Sequence, residues 1–201
     1  MTATEGIDVD LDERTALVVV DVQNDFADPH GGLYVPGGDE IVGIVNDLVA
    51  RARDAGALVV YTQDWHPEHT PHFVEHGGAW PVHCVRDTWG AQLHPRLRVE
   101  GPVVRKGTGG EDGYSGFTAR DVTTGEDTPT ELDALLRRHA VERVVVVGLA
   151  QDVCVKETAL DARRLGYDTV VPLAATRAVN VHPDDEQRAT DEMRAAGVTV
   201  C

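Results

Sequence analysis

Cysteine is scarce in this 201-residue chain, with Cys84, Cys154 and Cys201 the whole supply. Three widely spaced thiols, an odd number, cannot build a disulfide framework; they suit a reducing compartment and one functional thiol. Lysine is scarcer still. Lys106 and Lys156 are the only two among 18 basic residues, so an ammonium at position 106 is expected to do something that a guanidinium cannot. Long apolar runs are missing as well: those near residues 16–20 and 144–147 are far too short for a bilayer, and the start, MTATEGIDVDLDERT, has no apolar stretch of the secretory kind. Positive charge is outnumbered by 34 acidic residues, which leaves a formal charge of −16 and repels polyanions and anionic membrane surfaces. These shortages argue against nucleic acid and membrane as partners. They lead to the expectation of a soluble cytoplasmic protein, with assembly into a homo-oligomer left open.

What is present is a β-α rhythm. ALVVVDV (16–22), LVVYTQD (58–64) and RVVVVGLA (143–150) are short, continuous, β-branched apolar runs of the kind buried on both faces of a parallel sheet. Helical periodicity covers Glu40 to Ala55, Thr130 to His139, Val153 to Leu165 and Asp184 to Ala196. Three of these helices run into a glycine followed at once by a strand-like run, in DAGALVV, RLGYDTVV and AAGVTV, the C-cap signal of αβ units. With strands near 103–105, 168–172 and 198–200, the expected fold is α/β: a doubly wound, mainly parallel six-stranded sheet with helices on both faces. We expect one domain over residues 1–201, with an acidic N-terminal extension at 1–14. Two stretches break the rhythm, a His-, Pro- and Trp-rich excursion at 65–101 and a Gly-, Asp- and Thr-rich loop at 107–127; loops of that length in a compact domain are usually functional.

Ligands of open parallel sheets sit at the carboxyl ends of the strands, and Asp21, Asp64, Lys106 and Cys154 all follow strand-like runs. Cys154, in GLAQDVCVKETAL, stands where a buried strand gives way to a helix. The helix N-terminus favours a thiolate, and its backbone N–H groups can hold the oxygen of a tetrahedral intermediate. As a lone cysteine it would more often be a structural core residue. Asp21, closing VVVD, is costly to bury unless paired or protonated; as a catalytic group it would take the thiol proton and pass it to a departing amine. Lys106 can hold Asp21 ionised and stabilise a thiolate, or be simply a solvated loop lysine. Asp25, beyond the strand, reads as an N-cap or a solvated loop carboxylate.

Six of the nine histidines fall between positions 66 and 94. Asp64 and His66 form a DxH pair whose side chains point the same way in extended chain. With His72 and His83 they make a carboxylate-imidazole set suited to one divalent ion, zinc first, with iron or manganese as alternatives. His69, His76 and His94 are expected to lie outside it.

In chain order, DVQNDF, DWH with a later HF, WPVHC, RKG, YSGF and GLAQDVCV together resemble the nicotinamidase (pyrazinamidase) branch of the isochorismatase-like hydrolases, and the likeness spans nearly the whole chain. That resemblance implies a catalytic triad of Asp21, Lys106 and Cys154, and a metal held by Asp64, His66, His72 and His83 that binds a pyridine nitrogen directly or through water. It also implies a cis peptide at Leu149–Ala150, an oxyanion hole from the N–H groups of Ala150 and Cys154, and Phe26, Trp80 and Tyr114 around the ring. The implied activity is release of ammonia from nicotinamide, and from pyrazinamide, in NAD salvage. Two departures stand out: the KGTGGEDGY loop leading to Tyr114, which varies in length among relatives, and Val153, where some relatives carry histidine. Rival readings are another hydrolase of the superfamily, acting on an N-carbamoyl amine or on isochorismate, and a non-catalytic metal- or redox-sensing protein.

Overall fold

The structure is a computed structural model that describes Ile7 and residues 9–201. Its elements in chain order are β1 (Thr15–Val20), α1 (Asn24–Ala27), α2 (Ile41–Asp54), β2 (Leu58–Asp64), β3 (Val103–Lys106), β4 (Thr118–Arg120), β5 (Asp127–Pro129), α3 (Leu132–Arg138), β6 (Arg143–Leu149), α4 (Lys156–Arg164), β7 (Asp168–Val171), β8 (Thr176–Arg177), α5 (Asp185–Ala195) and β9 (Thr199–Val200). A single turn of π-helix, Gln151–Val155, leads from the end of β6 into α4.

The sheet runs β3-β2-β1-β6-β7-β9, with β8 added beside the end of β6, and every pairing in it is parallel. The apolar runs end up here because alternate residues feed two cores. Leu17, Val19, Val145 and Val147 pack against α2 through Ile41, Val45, Leu48 and Val49. Ala16, Val18, Val144 and Val146 point the other way, toward Leu132 and Leu136 of α3, Ala159 and Ala162 of α4 and Met193 of α5. All six residues of β1 are buried, and each large aliphatic side chain so buried contributes about 1.5–3 kcal/mol. The result is the expected helix-sheet-helix sandwich, with seven strands in the main sheet rather than six. The extra strand is the two-residue β8, too short to leave an apolar pattern.

Three boundaries differ from expectation. Strand β1 stops at Val20, and Asp21 already lies in the left-handed region at φ 48°. The 107–127 loop is not wholly irregular, because it leads into an antiparallel hairpin of β4 and β5. The acidic 1–14 extension falls partly outside the described residues, but its described part is docked: Val9 is buried, Ile7 packs on the core, and Arg51 donates to the carbonyls of both at 3.0 Å. Among the described residues no helix is long and apolar enough to cross a membrane.

Strand order reverses between β1 and β6, the point at which a parallel sheet opens a crevice at its carboxyl edge. Gly148 draws the two strand ends together. It pairs with Val20 at φ +113°, and a Cβ there would stand 2.1 Å from the Val20 carbonyl oxygen, so only glycine fits. Asp21 follows one of these residues directly, and the segment carrying Cys154 follows the other.

Candidate active site

Four strand-end residues converge in this crevice. Register places Asp64 and Lys106, the last residues of β2 and β3, side by side. The Lys106 side chain is fully buried, with Nζ 2.7 Å from Asp21 Oδ2, 2.5 Å from Asp64 Oδ1 and 3.8 Å from Cys154 Sγ, and it also donates to the Gly113 carbonyl. Thr62 Oγ1 donates to Asp21 Oδ1 at 2.7 Å. The contact of Lys106 with Asp21 Oδ2 is an ion pair lacking the alignment of a hydrogen bond. Cys154 Sγ and one oxygen of each carboxylate lie within 4.8 Å of one another.

One ammonium therefore serves two buried carboxylates, and they respond differently. At Asp21, burial outweighs the attraction of Lys106 and pushes the carboxyl up to about 6. At Asp64, burial works the same way, but Lys106 and the neighbouring His66 and His83 overcome it and hold the group well below the usual carboxylate range. Burial raises the Cys154 thiol well above its ordinary value, with Lys106 only partly offsetting it. Burial thus opposes the thiolate that a helix N-terminus favours, and Asp21 lies within reach as an acceptor of the thiol proton.

Beside this cluster, ring nitrogens of His66, His72 and His83 come within 4.8 Å of one another. Asp64 Oδ2 stands 3.8 Å from His66 Nε2 and 3.9 Å from His83 Nε2. Both nitrogens of His66 are buried without a hydrogen-bond partner, an unfavourable state for an imidazole unless a ligand completes it. His83 Nδ1 bonds to the Pro81 carbonyl at 2.7 Å and His72 Nδ1 to Asp112, an arrangement that turns each Nε2 toward the common centre. Burial lowers His83 to about 4, keeping it neutral as a ligand must be. This donor set fits a divalent cation. Gly107 is required beneath it: φ is +71°, and a Cβ would lie 2.5 Å from the His66 ring.

A cavity joins the thiol to His72 and His83, lined among others by Phe26, Trp80, Tyr114, Ala150, Val153 and Cys154. Trp80 is half-buried, its Nε1 donating to Tyr114 Oη at 2.9 Å, so the aromatic wall is braced rather than exposed. The Leu149–Ala150 peptide is cis, and the Ala150 carbonyl accepts from the N–H groups of Val153 and Val155, closing the turn around Cys154. Of the other histidines, His69 and His76 meet each other on the surface, and His94 accepts from the Arg96 N–H.

Asp25 is not an N-cap, and it is partly buried and fully engaged rather than a free loop carboxylate. It sits in the first turn of α1, and its carboxylate accepts the Gly32 and Cys84 N–H groups at 2.8 and 2.7 Å, fastening three segments together. Sequence reasoning also missed Gln23, whose buried amide bonds both the N–H and the carbonyl of Asp64 at 2.8 Å. The signal was a glutamine two residues beyond the strand-end Asp21. Asp152 was missed too; it accepts the Val179 and Asn180 N–H groups at 2.9 and 2.8 Å and so sets Val179 on the cavity wall.

Residues 15–201 match the model of the isochorismatase domain family. The chain belongs to the isochorismatase family. Within that family it is 39% identical to the nicotinamidase of Escherichia coli K12 over 203 residues, covering 92% of this chain and 93% of the relative. A crystal structure of PnC1 from L. infantum in complex with nicotinate superposes with a TM-score of 0.88 at 36% identity, over 97% of this chain and 96% of that one. Pyrazinamidase of Pyrococcus horikoshii in complex with zinc gives 0.82 at 39% identity, over 94% and 98%. The doubly wound parallel sheet expected from the strand rhythm is the fold of this chain, and the family is the one that its motifs resemble.

Proposed function

We propose that this chain is a nicotinamidase, an amidohydrolase that converts nicotinamide, and pyrazinamide, to the acid and ammonia through a cysteine thioester. The observation that carries this reading is a cavity lined by Cys154, with Asp21 and Lys106 behind its sulfur, and by His72 and His83, which cluster with His66.

Cys154 Sγ attacks the amide carbon as its proton passes to Asp21, a carboxyl near 6 that is largely ionised at neutral pH. The N–H groups of Ala150 and Cys154 stabilise the carbonyl oxygen as it takes on charge. Asp21 then returns the proton to the amine, the C–N bond breaks and ammonia leaves. Asp21 next takes a proton from water, whose oxygen attacks the thioester carbon; the C–S bond breaks, the acid departs and the sulfur recovers its proton. Lys106 stays cationic throughout, because the two carboxylates raise it well above its ordinary value despite burial, and it offsets charge on Asp21 and sulfur alike. Phe26, Trp80 and Tyr114 line the cavity beside the thiol and would pack against the ring.

A divalent ion, zinc in our reading, would be held by His66, His72 and His83 with Asp64, and would supply a Lewis acid to which a ring nitrogen binds. We place the reaction in the cytoplasm, in NAD salvage. The discriminating assay is ammonia release from nicotinamide, pyrazinamide, an N-carbamoyl amine and, by its own product, isochorismate turnover. Preference for the two aromatic amides supports the proposal; turnover confined to the carbamoyl amine or isochorismate rejects it.

A further inference from the structure

The two stretches that break the sheet's rhythm are fastened to each other rung by rung. Arg86 Nη2 donates to the Thr108 carbonyl at 3.1 Å, Thr70 Oγ1 to the Gly110 carbonyl at 2.8 Å, and Trp80 Nε1 to Tyr114 Oη at 2.9 Å. Between them His72 Nδ1 meets Asp112 Oδ1. That rung alone joins a histidine of the ion site to the 107–127 loop through a carboxylate. The two partners differ in environment, since the His72 side chain is 3% exposed and that of Asp112 20%. Asp112 is itself anchored, exchanging both backbone hydrogen bonds with Arg120 of β4 at 2.8 and 2.9 Å. The next two residues reach the remaining parts of the site: the Gly113 carbonyl accepts from Lys106 Nζ, and Tyr114 braces Trp80.

We propose that Asp112 is a positioning residue for the ion site, and that through it ion binding and the order of the loop segment 112–114 are linked. A carboxylate on Nδ1 fixes the His72 tautomer with the proton on Nδ1, leaves Nε2 as the donor to a cation and raises its basicity; loss of such a partner typically weakens metal affinity about 10–100-fold. By linkage, whatever holds His72 in its ligating orientation also favours the Asp112 contact, and with it the placement of the Gly113 carbonyl on Lys106 and of Tyr114 on the aromatic wall. The sequence leaves this connection unmarked, because Asp112 lies 40 residues from His72 in a loop whose glycines and acids read as solvated.

The inference rests on the metal part of the proposed function, and the tests separate the two. Zinc affinity is measured by competition with a chromophoric chelator for the parent chain, Asp112→Asn, Asp112→Ala and Asp112→Glu. In the same proteins after chelation, thermal stability is measured, and amide exchange across 107–117 is compared with and without zinc. Expected are affinity losses of about 10–100-fold in Asp112→Asn and Asp112→Ala, partial recovery in Asp112→Glu, and melting temperatures of the chelated proteins that match the parent. Zinc should slow exchange in 107–117 of the parent and lose that effect in Asp112→Ala. Unchanged zinc affinity in Asp112→Ala overturns the inference and leaves the ion site standing. A chelated Asp112→Ala that melts well below the parent and still binds zinc as tightly shows a structural role instead. A parent chain that takes up no zinc, manganese or iron overturns both the inference and the metal part of the proposed function.

Discussion

Replacing Lys106 by methionine should be among the most destabilising changes available to the chain, with a size that depends on pH. The side chain is fully buried and lies within 2.7 Å of one carboxylate and 2.5 Å of another. Removing one partner of a buried pair costs about 3–5 kcal/mol, because an uncompensated charge is left behind. For a chain of this length each kcal/mol moves the melting temperature by about 2–4 °C, so Lys106→Met should melt about 6–20 °C lower at neutral pH. Protonation offers relief. Asp21 already titrates at about 6 with the ammonium present, raised from its ordinary 3.8 by burial, so its folded-state pKa lies above its unfolded one. Such a group contributes stability below the unfolded value that is lost as pH rises through the folded one, and without Lys106 that window extends upward. The deficit of the variant should therefore shrink on acidification from about pH 8 to about pH 5. The assay is thermal unfolding of both proteins after chelation, so that no bound ion substitutes for the missing charge. A drop of less than about 2 °C at pH 8, or a deficit that grows as pH falls, refutes the shared-ammonium reasoning.

Three further outcomes follow from the same geometry. Because Asp21 must be ionised to accept the thiol proton, kcat/KM for nicotinamide should fall as pH drops through about 6; a profile flat from about pH 7 down to about pH 4.5 would assign the proton to another group. Gly148→Ala should destabilise by about 2–6 kcal/mol in denaturant titrations, combining a positive φ with a collision on Val20, whereas Gly166→Ala, with positive φ but open space around it, should lose only the first contribution of about 1–3 kcal/mol; equal losses would contradict the close approach of β1 and β6. Trp80→Ala should raise KM for nicotinamide more than it lowers kcat, because it removes the cavity wall and not the reacting groups; steady-state ammonia release checks the split.

The β-α alternation was legible because a strand buried on both faces must be apolar throughout, as TALVVV and RVVVVGL are, and because a helix ending on glycine marks where the next strand starts. Site residues were legible for a related reason: a charged or nucleophilic group at the end of such a strand is conspicuous, and Asp21, Asp64 and Lys106 all stand out this way. Long-range polar bonding was not legible. Nothing in the spacing of Asp64 and Lys106, 42 residues apart, shows that one ammonium serves two carboxylates. Asp25 looked like a local cap, yet it bonds Cys84, 59 residues away. Short elements such as α1, β8 and the β4-β5 hairpin carry too few residues for a period to register. The setting of the thiol was only half legible, because a helix N-terminus can be read from sequence, whereas the burial that opposes a thiolate there cannot.

The most direct measurement is ammonia release from nicotinamide by Cys154→Ala, with melting temperature and bound metal determined on the same sample. A thioester mechanism requires the rate to fall by about 10⁴-fold or more, while the protein stays folded and keeps its metal. Turnover within an order of magnitude of the parent chain, in a folded and metal-loaded variant, would show that the sulfur of Cys154 forms no bond to the substrate.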